Sequence, residues 1–277
     1  MEYKIVADSS CDLNDELESK MDVSLVPFRI DIDDSSFIDD EDIDLKKLVS
    51  TMKASPNPIK SSCPSPGDFK ERYVDADSVY VVTISKELSG TYNSAILAKD
   101  MMQEEMNEKF IHVFNSRSAS VGETLTALKI QECVDAKMTN EQLVEEVEKY
   151  IYNMKTYFIS EDLSNLIKNG RISKTQGLIA NVLNIKPIMK ATDDGNIEAV
   201  EKVRGSRKAF KRLAEIISES RVKFEDRILA ISHANALEKA LELKADLAGL
   251  NFKEVIIVET KGLSTVYVND GGIIVSY

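Results

Sequence analysis

The sequence predicts an α/β protein of two domains, and three observations predict it. The 277 residues exceed the usual size of a single core. The first half alternates strand, helix and strand, and the second half carries an Asp-Gly link between two apolar runs. The first domain is expected over residues 1–156 as a parallel-sheet α/β unit. The second is expected over 157–277 as an α+β unit with a mixed or antiparallel sheet.

Taken in order, apolar β-formers predict a strand over 3–7, then a short helix over 14–20, then a strand over 23–26 halted by Pro27. Strands follow at 79–84 and 110–114, with helices at 91–106, 121–136 and 140–154. The last of these is acidic and amphipathic, which suits a closing surface helix. The pattern changes around 155–162. Short helices come next, then strands 185–190 and 197–203 joined by Asp193-Asp194-Gly195-Asn196, a hairpin signal. A helix at 206–220, a strand at 228–232, a helix at 236–248, a strand at 254–258 and a final strand at 272–276 complete the chain, which has no internal repeat.

Composition excludes several functions. The opening runs straight into a strand pattern, with no signal-like segment and no apolar run of the ~20 residues that span a bilayer, so a cytoplasmic, unanchored protein is expected. Cys11, Cys63 and Cys133 have neither a disulfide framework nor metal-binding spacing and read as free thiols. A net charge of −12 disfavours nucleic acid as a partner. Residues 165–227 depart from this balance, with 14 Lys and Arg against 8 Asp and Glu. An anionic partner is expected there.

Two serine-rich segments carry the chemistry. In KSSCPSPGDF at 60–69, Ser65 caps a helix, Pro66 opens it and Asp68 completes a capping-box arrangement, while Ser61 and Ser62 stand ahead of the helix amides, a setting for a carboxylate. In TISKELSGTYNSA at 83–95, a strand end passes through a tight turn into a helix, the edge where open α/β sheets bind ligands. Gly90 allows close backbone approach, and Ser89 reads equally as a ligand residue or as a plain N-cap. No Walker-type loop occurs.

Other segments are weaker. The acidic run 31–42 places Ser36 where a calcium loop needs glycine and Asp42 where it needs glutamate, so a solvated loop is expected and no metal. His112 and His233 form no triad order with a nucleophile. Asn169-Gly170-Arg171 ends a short helix on a glycine cap, with a second helix beginning at Lys174, and holds Arg171 on a rigid connection. Together with Arg204 it concentrates positive charge.

Several segments together resemble the DegV family in order and spacing across essentially the whole chain: VADSSCDL at 6–13, the Pro64 loop, LSGTY at 88–92, NSRSAS at 115–120, NGRIS at 169–173, LNIKPI at 183–188, KVR at 202–204 and ISHA at 231–234. The resemblance implies a long-chain fatty acid in a tunnel between two α/β domains, and a non-catalytic carrier that presents the carboxylate to a fatty acid kinase for acyl phosphate formation in phospholipid metabolism. No cofactor is expected beyond that ligand. Transient membrane contact is compatible with such a role. The family's carboxylate contacts fall on Ser61, where threonine is more usual, and on Ser89, with Ser62 and Gly90 alongside. Tyr267 stands where the family usually has a histidine, and can still donate a hydrogen bond. Arg171 and Arg204 are expected to dock the kinase. The alternatives are a lipid sensor or buffer uncoupled from a kinase, and a hydrolase using Ser89 near His233.

Overall fold

The computed structural model describes residues 2–74, 76–106, 109–173 and 184–277. Lys174, where a second short helix is expected, and Leu183 of the family pattern lie outside the described residues.

Four strands, β1 (Tyr3–Asp8), β2 (Val23–Val26), β6 (Ser78–Thr83) and β7 (Phe110–Asn115), form a parallel sheet in the order β2-β1-β6-β7. Strand β6, SVYVVT, is buried along its whole length, as β-branched and aromatic residues covered on both faces of a parallel sheet should be. Helices α1 (Asp15–Lys20), α3 (Pro66–Arg72), α4 (Thr91–Glu105), α5 (Val121–Asp135) and α6 (Asn140–Asn153) connect and cover these strands.

Between β2 and β6 lies a unit absent from the sequence reading. Strands β3 (Arg29–Ile32), β4 (Ser35–Ile38) and β5 (Lys60–Ser62) make an antiparallel sheet in the order β4-β3-β5, with helix α2 (Leu45–Ala54) between β4 and β5. The acidic run 31–42 is therefore not a solvated loop. Ile32 and Phe37 are buried within it and Ile30 just before it, Asp33 turns the β3–β4 hairpin at φ 51°, and Asp39 is 1% exposed.

The second half builds a six-stranded mixed sheet in the order β10-β9-β8-β13-β11-β12. Its strands are β8 (Thr156–Ile159), β9 (Ile185–Ala191), β10 (Ile197–Arg204), β11 (Ile228–His233), β12 (Glu254–Glu259) and β13 (Ile273–Ser276). The β9–β10 hairpin turns where expected, with Gly195 at φ 90°. Helices α7 (Ser164–Lys168), α8 (Ser206–Ser218), α9 (Leu237–Asp246) and α10 (Gly262–Val268) complete it. Helix α7 ends in a Schellman motif: Gly170, at φ 72°, donates to the Ile167 carbonyl and Arg171 to the Leu166 carbonyl.

The four-stranded and six-stranded sheets share helix α5. Helix α5 packs on β1 and β6 of the first sheet and on β11 and β13 of the second. Residues Val121 to Leu128 are all buried, the signature of a helix covered on every side. Among the described residues, no helix is long and apolar enough to cross a membrane.

Candidate functional site

A cavity of about 100 Å³ opens between the elements of the two sheets, walled by apolar side chains that include Phe28, Ile84, Leu88, Phe158, Leu263 and Ile274. Four of the residues singled out from the sequence, Ser61, Ser89, Arg171 and Tyr267, line it. Each reaches it from a different element.

Ser61 comes from β5, where it pairs with Ile30 of β3. The serine pair therefore lies on a strand and not beside the amides of α3. Alternation along that strand separates the two: Ser61 is half-buried and lines the cavity, whereas Ser62 is exposed and does not. Helix α3 itself carries the expected capping box, with Ser65 accepting from the Asp68 amide at 3.2 Å and Asp68 accepting from the Ser65 amide at 2.7 Å.

Ser89 precedes α4, whose N-cap is Gly90, so the plain N-cap reading of Ser89 does not hold. Its hydroxyl pairs with Thr91 Oγ1 at 2.8 Å. Gly90 is outside the cavity wall, has an ordinary φ of −71°, and a Cβ there would meet only Cys63 Sγ, at 3.7 Å.

Tyr267 projects from α10, and its hydroxyl lies 2.8 Å from Ser61 Oγ. Arg171 stands over the Tyr267 ring with its guanidinium carbon 6.0 Å from the centroid, and Nε donates to the Leu88 carbonyl at 3.1 Å. Arg171 is thus part of the cavity wall, positioned by the Schellman turn. Arg204, at the end of edge strand β10, is exposed and away from the cavity wall.

Residues that the sequence reading did not single out also meet here. Ser10, Ser118, Thr156 and Ser264 line the cavity. Behind them lies a buried acidic group: Asp8, Asp12, Asp39 and Glu123 are at most 1% exposed. Burial raises Asp8 and Asp39 to about 6 and Asp12 to about 7, with hydrogen bonds pulling the other way. Burial, and next the Asp8 charge, push Glu123 well above the usual carboxyl range. The Ser10 hydroxyl bonds to Glu123. Only the tertiary fold reveals this group, since its members come from separate elements.

The histidines do not join the site. His233 Nδ1 accepts from the Ala236 amide at 3.3 Å, and Ser89 is engaged by Thr91, so the Ser–His pair that a hydrolase requires is not formed. His112 packs against Phe114 with the rings tilted at 58° and their centroids 4.5 Å apart. Among the described residues, no group of three or more His, Cys, Asp or Glu is placed to hold a metal ion.

Comparison with known proteins places these features in context. The family model described as an uncharacterised protein of the DegV family matches residues 2–277. A DegV domain-containing protein of Streptococcus pneumoniae is 32% identical over 281 residues, covering 100% of this chain and 99% of the relative. A DegV family protein from Ruminococcus gnavus, solved with vaccenic acid, superposes with a TM-score of 0.94 at 46% identity over 99% of each chain. The fatty acid kinase B3 protein of Streptococcus pneumoniae, solved loaded with linoleic acid, superposes with a TM-score of 0.92 at 30% identity, covering 100% of this chain and 99% of that one.

Proposed function

This chain belongs to the DegV family, and from that premise we propose that it carries a long-chain fatty acid, with the carboxylate at Ser61, Ser89 and Tyr267 and the tail in the apolar space between two domains, residues 1–156 and 157–277. The observation that carries this reading is the meeting of those three hydroxyls around one apolar cavity. The fatty acids bound by the Ruminococcus gnavus and Streptococcus pneumoniae relatives support the same ligand class.

The energetics divide the work. Burying about fourteen methylenes at roughly 0.8 kcal/mol each supplies on the order of 11 kcal/mol before ordering losses, so the tail dominates affinity. The polar end has only to keep the carboxylate hydrogen-bonded, because an unpaired buried charge is expelled or neutralised. Neutral hydroxyl donors do this while leaving an oxygen lone pair free for phosphoryl transfer. Ser62 and Gly90 are the chain neighbours of Ser61 and Ser89 and stand outside the cavity wall.

The protein is then a non-catalytic, cytoplasmic carrier that needs no cofactor and presents its carboxylate to a separate kinase. Arg204, exposed, and Arg171, partly exposed at the cavity wall, meet the kinase surface. Native mass spectrometry of the purified protein tests the ligand: a co-purified fatty acid is expected, and its absence after reconstitution with vaccenic acid sinks the reading. Adding a fatty acid kinase with ATP then separates a carrier, which yields acyl phosphate, from a sensor, which does not.

A further inference from the structure

Helix α10 brings Leu263, Ser264, Tyr267 and Val268 to the cavity, yet supplies no cap of its own, because its N-cap residue Lys261 makes no side-chain hydrogen bond to the first turn. Carboxylates from the far end of the chain accept its three leading amides. Asp12, in the segment after β1, accepts from Lys261 N at 2.7 Å. Asp39, one residue past β4, accepts from Gly262 N at 2.6 Å on one oxygen and from Leu263 N at 2.9 Å on the other.

Both carboxylates are themselves held. Ser9 Oγ donates to Asp39 at 2.9 Å, and the Ser120 hydroxyl donates to Asp12 while pairing with Ser232 Oγ at 2.7 Å. The fit leaves no slack: a Cβ at Gly262 would lie 2.5 Å from Asp39 Oδ1 and 2.6 Å from Ile43 Cδ1. An exposed serine would cap a short helix at far lower cost than two buried carboxylates. What the carboxylates add is direction. Bonds to three successive amides fix where α10 starts and how it is rotated relative to the N-terminal half of the chain. The side chain that gains from that fixity is Tyr267, whose hydroxyl must meet Ser61 of the same N-terminal half.

We infer that Asp12 and Asp39 are positioning residues for the polar end of the cavity: by fixing the first turn of α10 they hold the Tyr267 hydroxyl at Ser61 and within reach of a ligand carboxylate. The ligand half of this inference rests on the fatty-acid reading. The link between Asp39 and Tyr267 does not.

A double-mutant cycle on the delipidated full-length protein tests both halves. Asp39→Asn and Tyr267→Phe are each expected to weaken vaccenic acid binding about ten-fold, and the pair together about ten-fold rather than a hundred-fold, since one acts through the other. In ligand-free protein carrying 3-fluorotyrosine at position 267, the ¹⁹F resonance should move in Asp39→Asn as it does in Ser61→Ala. Additive binding losses or an unmoved resonance overturn the inference. Asp12→Asn is read in the same way, and failure of both aspartate variants to fold would make the carboxylates simply structural. Should the wild type take up no vaccenic acid, the fatty-acid reading fails while the ¹⁹F comparison still decides the positioning.

Discussion

The Tyr267 hydroxyl and Ser61 Oγ, 206 residues apart in sequence, lie 2.8 Å from each other and join the C-terminal helix α10 to the small antiparallel sheet. A carboxylate arriving between them can take a hydrogen bond from each.

Tyr267→Phe keeps the ring beneath Arg171 and removes only that bond. Stability should fall by about 1 kcal/mol, the usual net value of one neutral hydrogen bond, while fatty acid retention falls more clearly. Chemical denaturation and lipid titration on the same preparation check this, and an unchanged affinity would remove Tyr267 from the polar end.

Ser89 is not the N-cap of α4, and its hydroxyl pairs with Thr91 Oγ1 at 2.8 Å and accepts from the Thr91 amide at 3.4 Å, two bonds with which a ligand carboxylate would compete. Ser89→Ala should reduce kinase-dependent acyl phosphate formation more than it reduces lipid retention. Equal losses in the two assays would argue that Ser89 only binds.

Gly195 sits where the β9–β10 hairpin closes on the first half of the chain. Its carbonyl accepts from Ser85 Oγ at 2.8 Å, and a Cβ there would lie 2.3 Å from that oxygen and 2.9 Å from Arg117 Cα, at a φ of 90°. Gly195→Ala is expected to cost roughly 1–3 kcal/mol and to raise amide exchange across residues 192–196. Exchange unchanged from the wild type would show that the hairpin accommodates the methyl group.

Stability should decline with rising pH. Asp8, Asp39 and Asp12 have folded values of about 6, 6 and 7 because of burial, against an ordinary 3.8 in the unfolded chain, and burial shifts Glu123 in the same direction. Between about pH 4 and 7 the folded state binds more protons, so the stabilisation from these groups is complete below about 4 and is lost as pH climbs through 6 to 7. His233, lowered by burial, acts in the opposite sense below its ordinary 6.5 but is one group against four. The urea midpoint should drop from pH 5 to pH 8, and Asp12→Asn should flatten the slope. A midpoint that rises over this interval contradicts the assignment.

Arg204→Glu should weaken coupling to a fatty acid kinase and leave bound lipid intact, because the residue is exposed and apart from the cavity wall. Kinase assays on lipid-loaded protein measure this, with lipid loss counting against a surface role.

The parallel sheet was legible because continuous apolar runs such as 79–82 and the helices between the strands follow simple periods. The hairpin at 193–196 was legible from its turn residues. The β3–β4–β5 unit was hidden by charge: Asp31, Asp33 and Asp34 drew the reading toward a solvated loop, although Ile30, Ile32 and Phe37 carry a strand's alternation on either side of a turn. Of the polar residues, Ser61, Ser89 and Tyr267 line one cavity, and strand alternation explains why Ser62 does not. Asp39 and Asp12 could not be assigned from sequence, since the amides they serve lie 223 to 249 residues away and no local pattern marks a buried carboxylate.

Because α5 is the common spine of both sheets, the two halves cannot hinge apart without stripping apolar surface from each. On the fatty-acid reading proposed above, a ligand would enter and leave while the spine stays seated. Cutting the chain into separate halves would leave that spine with one bare flank whichever fragment kept it, and such a fragment should aggregate.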